Sequence, residues 1–136
     1  MGPILGFLTV FFILMSMTRK VVQLSLARVL KRNKANDKKT SFDLKLLLWL
    51  QKNHTYFGML ALLSALAHAA VQFSITGQPS LTGGSLIFLL ILQGVSGYMQ
   101  EKKLGSIKFT STAHAVLPLV MVGLIIAHIV LNSQGL

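Results

Sequence analysis

Residues 53–100 decide the fold, and they read NHTYFGMLALLSALAHAAVQFSITGQPSLTGGSLIFLLILQGVSGYMQ. These 48 consecutive residues include no charged side chain. A helix needs roughly 20 mainly apolar residues to cross a bilayer, so the stretch is long enough for two membrane-spanning helices. Residues 76–84 (TGQPSLTGG) are rich in turn-forming types and predict the turn between those helices.

The overall composition supports a membrane protein. The chain has 136 residues, 53% of them apolar, with a mean hydropathy of +0.67. A soluble protein of this size has too little interior to bury so much apolar surface. The 13 basic and 3 acidic residues give a formal charge of +10, which alone would suggest a nucleic-acid-binding protein, but the hydropathy argues against that class. The absence of cysteine excludes disulfides, zinc fingers, thiolate iron–sulfur sites and covalently attached c-type haem.

The positions of the charges predict four membrane spans. All charged residues lie in two windows, 19–52 and 101–108, which leaves 1–18, 53–100 and 109–136 uncharged. We therefore expect an all-α protein, a transmembrane four-helix bundle in a single membrane domain. Its spans are expected at about 3–17, 53–75, 85–99 and 110–131.

The charges also predict the orientation in the membrane. Both basic windows lie on the same side of a four-span chain, and basic loops stay in the cytoplasm. We expect an integral protein of the cytoplasmic membrane with loops 19–52 and 101–108 cytoplasmic and both termini outside. A secretory signal peptide is the alternative for residues 1–17, although no basic residue precedes the apolar run and no small-residue cleavage site follows it.

An amphipathic cytoplasmic helical extension is expected between helices 1 and 2. The first helix is expected to continue into 19–31, and residues 33–41 are expected to form a polar loop. From Phe42 onward, leucines alternate with charged residues, and Trp49 is placed to anchor the segment at the bilayer surface. A helix near the loop without membrane contact is the alternative.

Four histidines lie inside the expected spans. His54 and His68 belong to the second helix, and His114 and His128 belong to the fourth. Both pairs are 14 residues apart, a spacing that keeps both rings on one helix face and about 21 Å apart along the axis. Since one antiparallel helix separates them, the second and fourth helices run in the same direction. His54 can then face His114 near the inside, and His68 can face His128 near the outside.

Small residues lie between the two histidines of the second helix, namely Gly58, Ala61 and Ala65. Such a stripe commonly allows close approach of two membrane helices. Because ligand-capable histidines bracket it here, room for a flat macrocycle is an equally good explanation.

The histidines allow three interpretations. A single intramembrane histidine can be a hydrogen-bonded packing residue or a link in a proton relay. Zinc and copper also bind imidazole, but two histidines without a carboxylate or thiolate form a poor site for them. Haem supplies four nitrogens itself and needs two axial imidazoles. We therefore predict two bis-histidine b-type haems, the inner bound by His54 and His114 and the outer by His68 and His128.

The histidine pattern resembles a known family. Both helices read His-x3-(Gly/Pro)-x9-His, and segment 114–128 (HAVLPLVMVGLIIAH) is similar to the fourth helix of the haem-binding half of cytochrome b from quinol:cytochrome c oxidoreductases. The second helix is more similar to small di-haem membrane cytochromes b, including ferric-reductase-like bundles. The resemblance covers about 53–131, and that family places its haem ligands on the second and fourth helices.

The resemblance implies transmembrane electron transfer. We expect the chain to be a subunit or partner of a larger redox complex linked to quinone or an external acceptor. Quinone is a further candidate ligand, and the expected partners besides lipid are quinone-linked subunits, a c-type cytochrome, or a cytoplasmic flavoprotein or iron–sulfur protein. Residues that could pair with haem propionates are Lys52, Lys102, Lys103 and Lys108 inside, where a plain topology signal is the alternative, and Gln72, Ser74, Gln78 and Asn132 outside.

Two further hypotheses remain open. One is a membrane enzyme, a quinol oxidase or ferric reductase whose substrate docks beside a haem edge. The other is a structural or proton-conducting membrane subunit whose histidines hold no metal.

Overall fold

The computed structural model describes residues 2–32, 37–104 and 106–133, and all regular secondary structure in these ranges is helical. The four helices are α1 (Gly2–Arg32), α2 (Asp37–Thr76), α3 (Leu81–Glu101) and α4 (Ile107–Ser133). Helix α1 packs against α2, α3 packs against α4, and α2 also packs against α3. The expected all-α class and the number of helices are confirmed.

Three helices contain segments long and apolar enough to cross a membrane. They are Leu44–Thr76, Leu81–Glu101 and Lys108–Leu131, while the apolar part of α1, Gly2–Thr18, is shorter. The expected first span coincides with this shorter segment, because Arg19 and Lys20 end the apolar run there. Length and composition thus support three spans, and a fourth span at residues 3–17 stays a prediction from the sequence.

The outward faces of the helices are apolar. Phe7 on α1, Leu81 on α3 and Phe109 on α4 have exposed fractions of 76%, 87% and 74%. A monomeric soluble protein rarely leaves such large contiguous apolar surface in water. The surface is therefore the kind that hydrocarbon tails cover.

The connection between α2 and α3 is shorter than the expected turn at 76–84. Gly77 adopts a φ of 68°, and its N–H donates to the carbonyl of Phe73 at 2.8 Å, which ends α2. Ser80 caps α3 by accepting a hydrogen bond from the N–H of Gly83 at 3.2 Å. The cap draws the glycine-rich segment into the first turn of α3, which is therefore 21 residues long and exceeds the expected span of 85–99.

The segment before the second span is helical for longer than expected. Helix α2 begins at Asp37 and continues without interruption to Thr76, so the second half of the expected loop at 33–41 is helix. No glycine or proline lies between 37 and 44 to stop it. The first half of that loop, 33–36, lies outside the described residues.

A small apolar core joins all four helices. Ile13 of α1, Ala61 and Ala65 of α2, Leu90 of α3 and Met121 of α4 form one buried cluster. We call these five residues the central layer. It lies midway between the two histidines of α2 and midway between those of α4, so it separates the two ends of the bundle.

Candidate functional site

The four histidines form two pairs between α2 and α4. The ring centres of His54 and His114 are 6.0 Å apart, and those of His68 and His128 are 6.3 Å apart. The ring planes cross at 83° in the first pair and 84° in the second. The structure therefore brings together the partners that the sequence predicted, and it shows that α2 and α4 run in the same direction.

The spacing within each pair fits two ligands on one ion. An imidazole nitrogen binds a transition metal at about 2.0–2.1 Å, as in zinc sites. Two imidazoles that bind one ion would therefore have ring centres up to roughly 6 Å apart, and both pairs are compatible with that spacing. No hydrogen bond could bridge rings at that distance directly.

The ring of His68 is held by the start of α1. Its Nδ1 lies 2.9 Å from the carbonyl oxygen of Gly2. A carbonyl oxygen only accepts hydrogen bonds, so Nδ1 carries the proton and Nε2 keeps its lone pair. A metal-binding histidine commonly donates its second ring N–H in this way.

The ring of His114 is held by two acceptors on α3. Its Nδ1 lies 3.2 Å from the hydroxyl of Ser96 and 3.3 Å from the carbonyl oxygen of Gln93. The Ser96 hydroxyl donates its proton to the same Gln93 carbonyl at 2.9 Å, so it can only accept from the ring. Both contacts therefore require a proton on Nδ1, so Nε2 is the unprotonated ring nitrogen of neutral His114.

The ring of His128 is held by the first turn of α3. Its Nδ1 lies 2.7 Å from the hydroxyl of Thr82, which in turn lies 3.1 Å from the hydroxyl of Ser80. The same Ser80 oxygen caps the helix. The helix cap and the orientation of His128 thus depend on one short hydrogen-bonded chain.

Three glycines adjoin the rings, and at Gly97 a Cβ would clash with one; the sequence did not point to these glycines. A Cβ at Gly97 would lie 2.9 Å from Cε1 of His114, one at Gly83 would lie 3.5 Å from Cε1 of His128, and one at Gly6 would lie 3.4 Å from Cε1 of His68. Gly83 and Gly97 are separated by 14 residues, the same spacing as the histidines. That shared spacing was the signal that could have identified them.

The small residues predicted to line the cofactor occupy two different environments. Ala61 and Ala65 are buried in the central layer between the histidine pairs, where they let the helices pack closely. A Cβ at Gly58 would meet no atom within 4 Å, so open space adjoins that position.

The predicted propionate partners lie at the expected ends of the bundle. Lys52 of α2 and Lys108 of α4 are exposed within a few residues of the first histidine pair, and Lys102 and Lys103 are exposed at the end of α3. At the opposite end, Gln72 is half-buried and Ser74 and Gln78 are exposed, while the side chain of Asn132 is outside the described residues. The basic residues are thus free to serve as topology signals, as anion partners, or as both.

A groove of about 650 Å³ lies between α3 and α4 beside the second histidine pair. Its walls are largely apolar, and Ser80 and Ser85 contribute hydroxyl groups. Through Ser80 and Thr82, the groove connects to His128 by hydrogen bonds.

Each candidate site consists of two imidazoles from α2 and α4. Within the described part of the chain, no three or more His, Cys, Asp or Glu side chains lie close enough to hold a metal ion together. Each candidate site therefore offers two protein ligands, which suffice for haem.

Comparisons with protein families, curated proteins and solved structures found no match to this chain.

Proposed function

We propose that this protein carries electrons across a membrane through two b-type haems, each bound by one histidine pair. The observation that carries the proposal is the pairing of His54 with His114 and of His68 with His128 at about the spacing of two axial ligands. Haem iron accepts and releases one electron by cycling between its ferric and ferrous states.

The protein's own residues prepare both sites for this task. Hydrogen bonds at Nδ1 fix the tautomer of His68 and His114 and leave Nε2 available for the iron. Haem held by two histidines in this way would keep no coordination position for oxygen or substrate. Such a site favours electron transfer over chemistry at the metal.

The arrangement along the bundle supports transfer across the bilayer. The two pairs lie about 21 Å apart along the helix axis, so one lies near each membrane surface. The central layer between them consists of buried apolar side chains. A low-dielectric medium also destabilises the charged form of each proposed haem, and it thereby tunes the midpoint potentials of both haems.

The proposal includes an orientation and partners. The basic end of the bundle, which carries Lys52, Lys102, Lys103 and Lys108, faces the cytoplasm. The chain works as a subunit or partner of a larger redox complex, with an electron donor on one side of the membrane and an acceptor on the other.

Haem stoichiometry and reduced-minus-oxidised spectra of the purified protein test the proposal. We expect a b-type spectrum with about two haems per chain, because each haem needs two imidazoles. His54→Ala and His114→Ala should remove the same haem, and His68→Ala and His128→Ala should remove the other. Tyr56→Phe, an exposed position on α2, is the matched control and should keep both haems.

Other outcomes of this experiment would overturn the proposal. A protein that binds no haem, or that keeps full haem content when all four histidines are replaced by Phe, excludes it. Unchanged assembly and function of that four-fold variant would instead favour a structural or proton-conducting subunit.

A second candidate is a quinol oxidase that acts beside the outer haem. The groove between α3 and α4 favours it, because its apolar walls suit a ring with an isoprenoid tail and its hydroxyl groups lead to His128. Reduction of the haem at the 68/128 pair by a ubiquinol or menaquinol analogue, lost in Ser80→Ala and retained in Thr76→Ala, would support it. Equal reduction rates in both variants would exclude this site.

A further inference from the structure

Pro118 leaves one carbonyl of α4 without its helical partner. Proline has no backbone N–H, so a proline inside a helix removes the hydrogen bond to the carbonyl four residues earlier. Pro118 lies inside α4, and the carbonyl four residues earlier is that of His114. The residue proposed as a haem ligand is thus also the residue whose carbonyl cannot accept the usual helical bond from four residues later.

The side chain of Gln93 on α3 forms a hydrogen bond to this carbonyl. Its Nε2 donates to the carbonyl oxygen of His114 at 3.1 Å. Its own backbone carbonyl accepts from the His114 ring at 3.3 Å. One residue of α3 therefore holds both the backbone and the imidazole of the same histidine.

The chemistry of the contact fixes the orientation of the Gln93 amide. The amide oxygen, Oε1, is buried and has no hydrogen-bond partner among the described residues. Reversing the amide would give Oε1 no better partner, because it would then face the His114 carbonyl, and two acceptors repel each other. A buried amide in which only the NH₂ group is bonded costs free energy, so this glutamine is not explained by packing alone.

The second histidine on α4 has no such arrangement. The residue four positions after His128 is Asn132, not a proline, and the His128 ring is held by the hydroxyl of Thr82. Any effect of the Gln93 contact is therefore confined to the 54/114 pair.

We propose that Gln93 is the positioning residue for His114: it replaces the helical hydrogen bond that Pro118 removes and thereby fixes the angle of the His114 ring at the 54/114 site. The redox consequence of this role rests on the proposed haem function. The contact itself does not, because it requires only the proline, the glutamine and the freed carbonyl.

A double-mutant cycle with Pro118 tests the proposal. Gln93→Met removes the donor at nearly constant length, and Pro118→Ala restores the backbone N–H that can bond the His114 carbonyl. We expect Gln93→Met to lower the thermal unfolding midpoint of the detergent-solubilised protein in the Pro118 background and to leave it unchanged in the Pro118→Ala background. Gln72→Met, a half-buried glutamine of α2, is the matched control and should act equally in both backgrounds.

Spectroscopy of the two haems provides the second readout. If the 54/114 pair holds a haem, the orientation of the His114 ring would tune that haem's electron paramagnetic resonance signal and midpoint potential. Gln93→Met should shift the signal and the midpoint potential of one haem only, the one that His54→Ala removes, and Pro118→Ala should suppress that shift. Should Gln93→Met fail to accumulate in the membrane, Pro118→Ala should restore its accumulation.

The outcomes separate this proposal from the proposed function. If Gln93→Met changes the unfolding midpoint equally in both backgrounds, or in neither, the proposed role of Gln93 is overturned. A change in the resonance signal or midpoint potential of both haems overturns it as well. A protein without haem that still shows the coupling in its unfolding midpoint would overturn the haem function and keep the Gln93 contact.

Discussion

At the scale of single residues, the site depends on glycine as much as on histidine. The rings of His68, His114 and His128 each lie against a glycine of a neighbouring helix, and the contact at Gly97 is the tightest. A side chain there would occupy the volume of the ring. The histidines would supply the ligand atoms of the proposed haems, and Gly97 leaves the space that the His114 ring occupies.

Gly97→Ala should therefore displace His114. Its Cβ would lie 2.9 Å from Cε1 of the ring, whereas carbon atoms in contact are separated by about 3.5–4.0 Å. The ring must then move by roughly half an ångström or more, away from the hydrogen bonds that orient it. We expect the haem content to fall from about two per chain towards one, measured by haem assay.

Gly94→Ala is the matched control on the same helix. A Cβ at Gly94 would meet no atom within 4 Å, and Ala favours helix over Gly by about 0.5–1 kcal/mol. This variant should keep both haems and unfold at a slightly higher temperature. Equal haem loss in the two variants would mean that helix propensity, not contact with His114, explains the effect.

At the scale of the elements, the end of α3 is strained at one residue. The N–H of Leu104 donates to the carbonyl of Met99 at 2.8 Å and that of Lys103 donates to the carbonyl of Gln100 at 3.3 Å, the two bonds of a Schellman motif. Lys103 occupies the position that favours glycine, with a φ of 55°. The motif turns the chain from α3 towards α4 in a few residues.

Lys103→Gly should stabilise the protein by about 1 kcal/mol, because a left-handed conformation costs a residue with a side chain roughly that much. Lys102→Gly removes the same charge at a residue with an ordinary φ of −82°, and it should be neutral or destabilising. Unfolding of both variants followed by circular dichroism in detergent checks this. A gain of equal size in both would point to charge repulsion among the lysines instead.

Pro118 shows how one element depends on another. Within α4 alone, the proline weakens the helix next to a proposed ligand. In the folded protein, the amide of Gln93 on α3 bonds the freed carbonyl. A feature that is unfavourable within one helix thus becomes a specific contact between two.

At the scale of the whole molecule, the charges divide the surface into two ends. Lys45, Lys52, Lys102, Lys103 and Lys108 are exposed, and they lie at the end of the bundle that holds His54 and His114. The opposite end, with the Gly77–Ser80 connection, carries no charge. This asymmetry is what the positive-inside rule uses to orient a protein.

The absence of native cysteine permits a direct test of the orientation. Single Gln78→Cys and Lys103→Cys variants place a thiol at opposite ends of the bundle, and both positions are exposed. In intact cells, a membrane-impermeant maleimide should label the first variant, while the second should react only after permeabilisation. Lys45→Cys should behave like Lys103→Cys. Labelling of both ends from outside, or the reverse pattern, would contradict the proposed topology.

The sequence was sufficient for the features that depend on regular repetition. Uninterrupted apolar runs predicted helices because in hydrocarbon a helix satisfies its own backbone polar groups. The 14-residue spacing predicted which histidines face each other, since the helical period fixes which residues share a face. The boundaries were less accurate, because Ser80 caps α3 earlier than the apolar pattern indicates.

Only the tertiary structure decided what surrounds each ring. The contacts of His68 with Gly2, of His114 with Gln93 and Ser96, and of His128 with Thr82 join different helices. They depend on the rotation and axial position of one helix against another, which packing sets and no periodicity within a single helix encodes. The sequence alone determined that the chain is helical and apolar and that its histidines can pair. Packing determined that Ala61 and Ala65 fill the central layer and that glycines adjoin the imidazoles, because close approach of two helices is a property of both surfaces together.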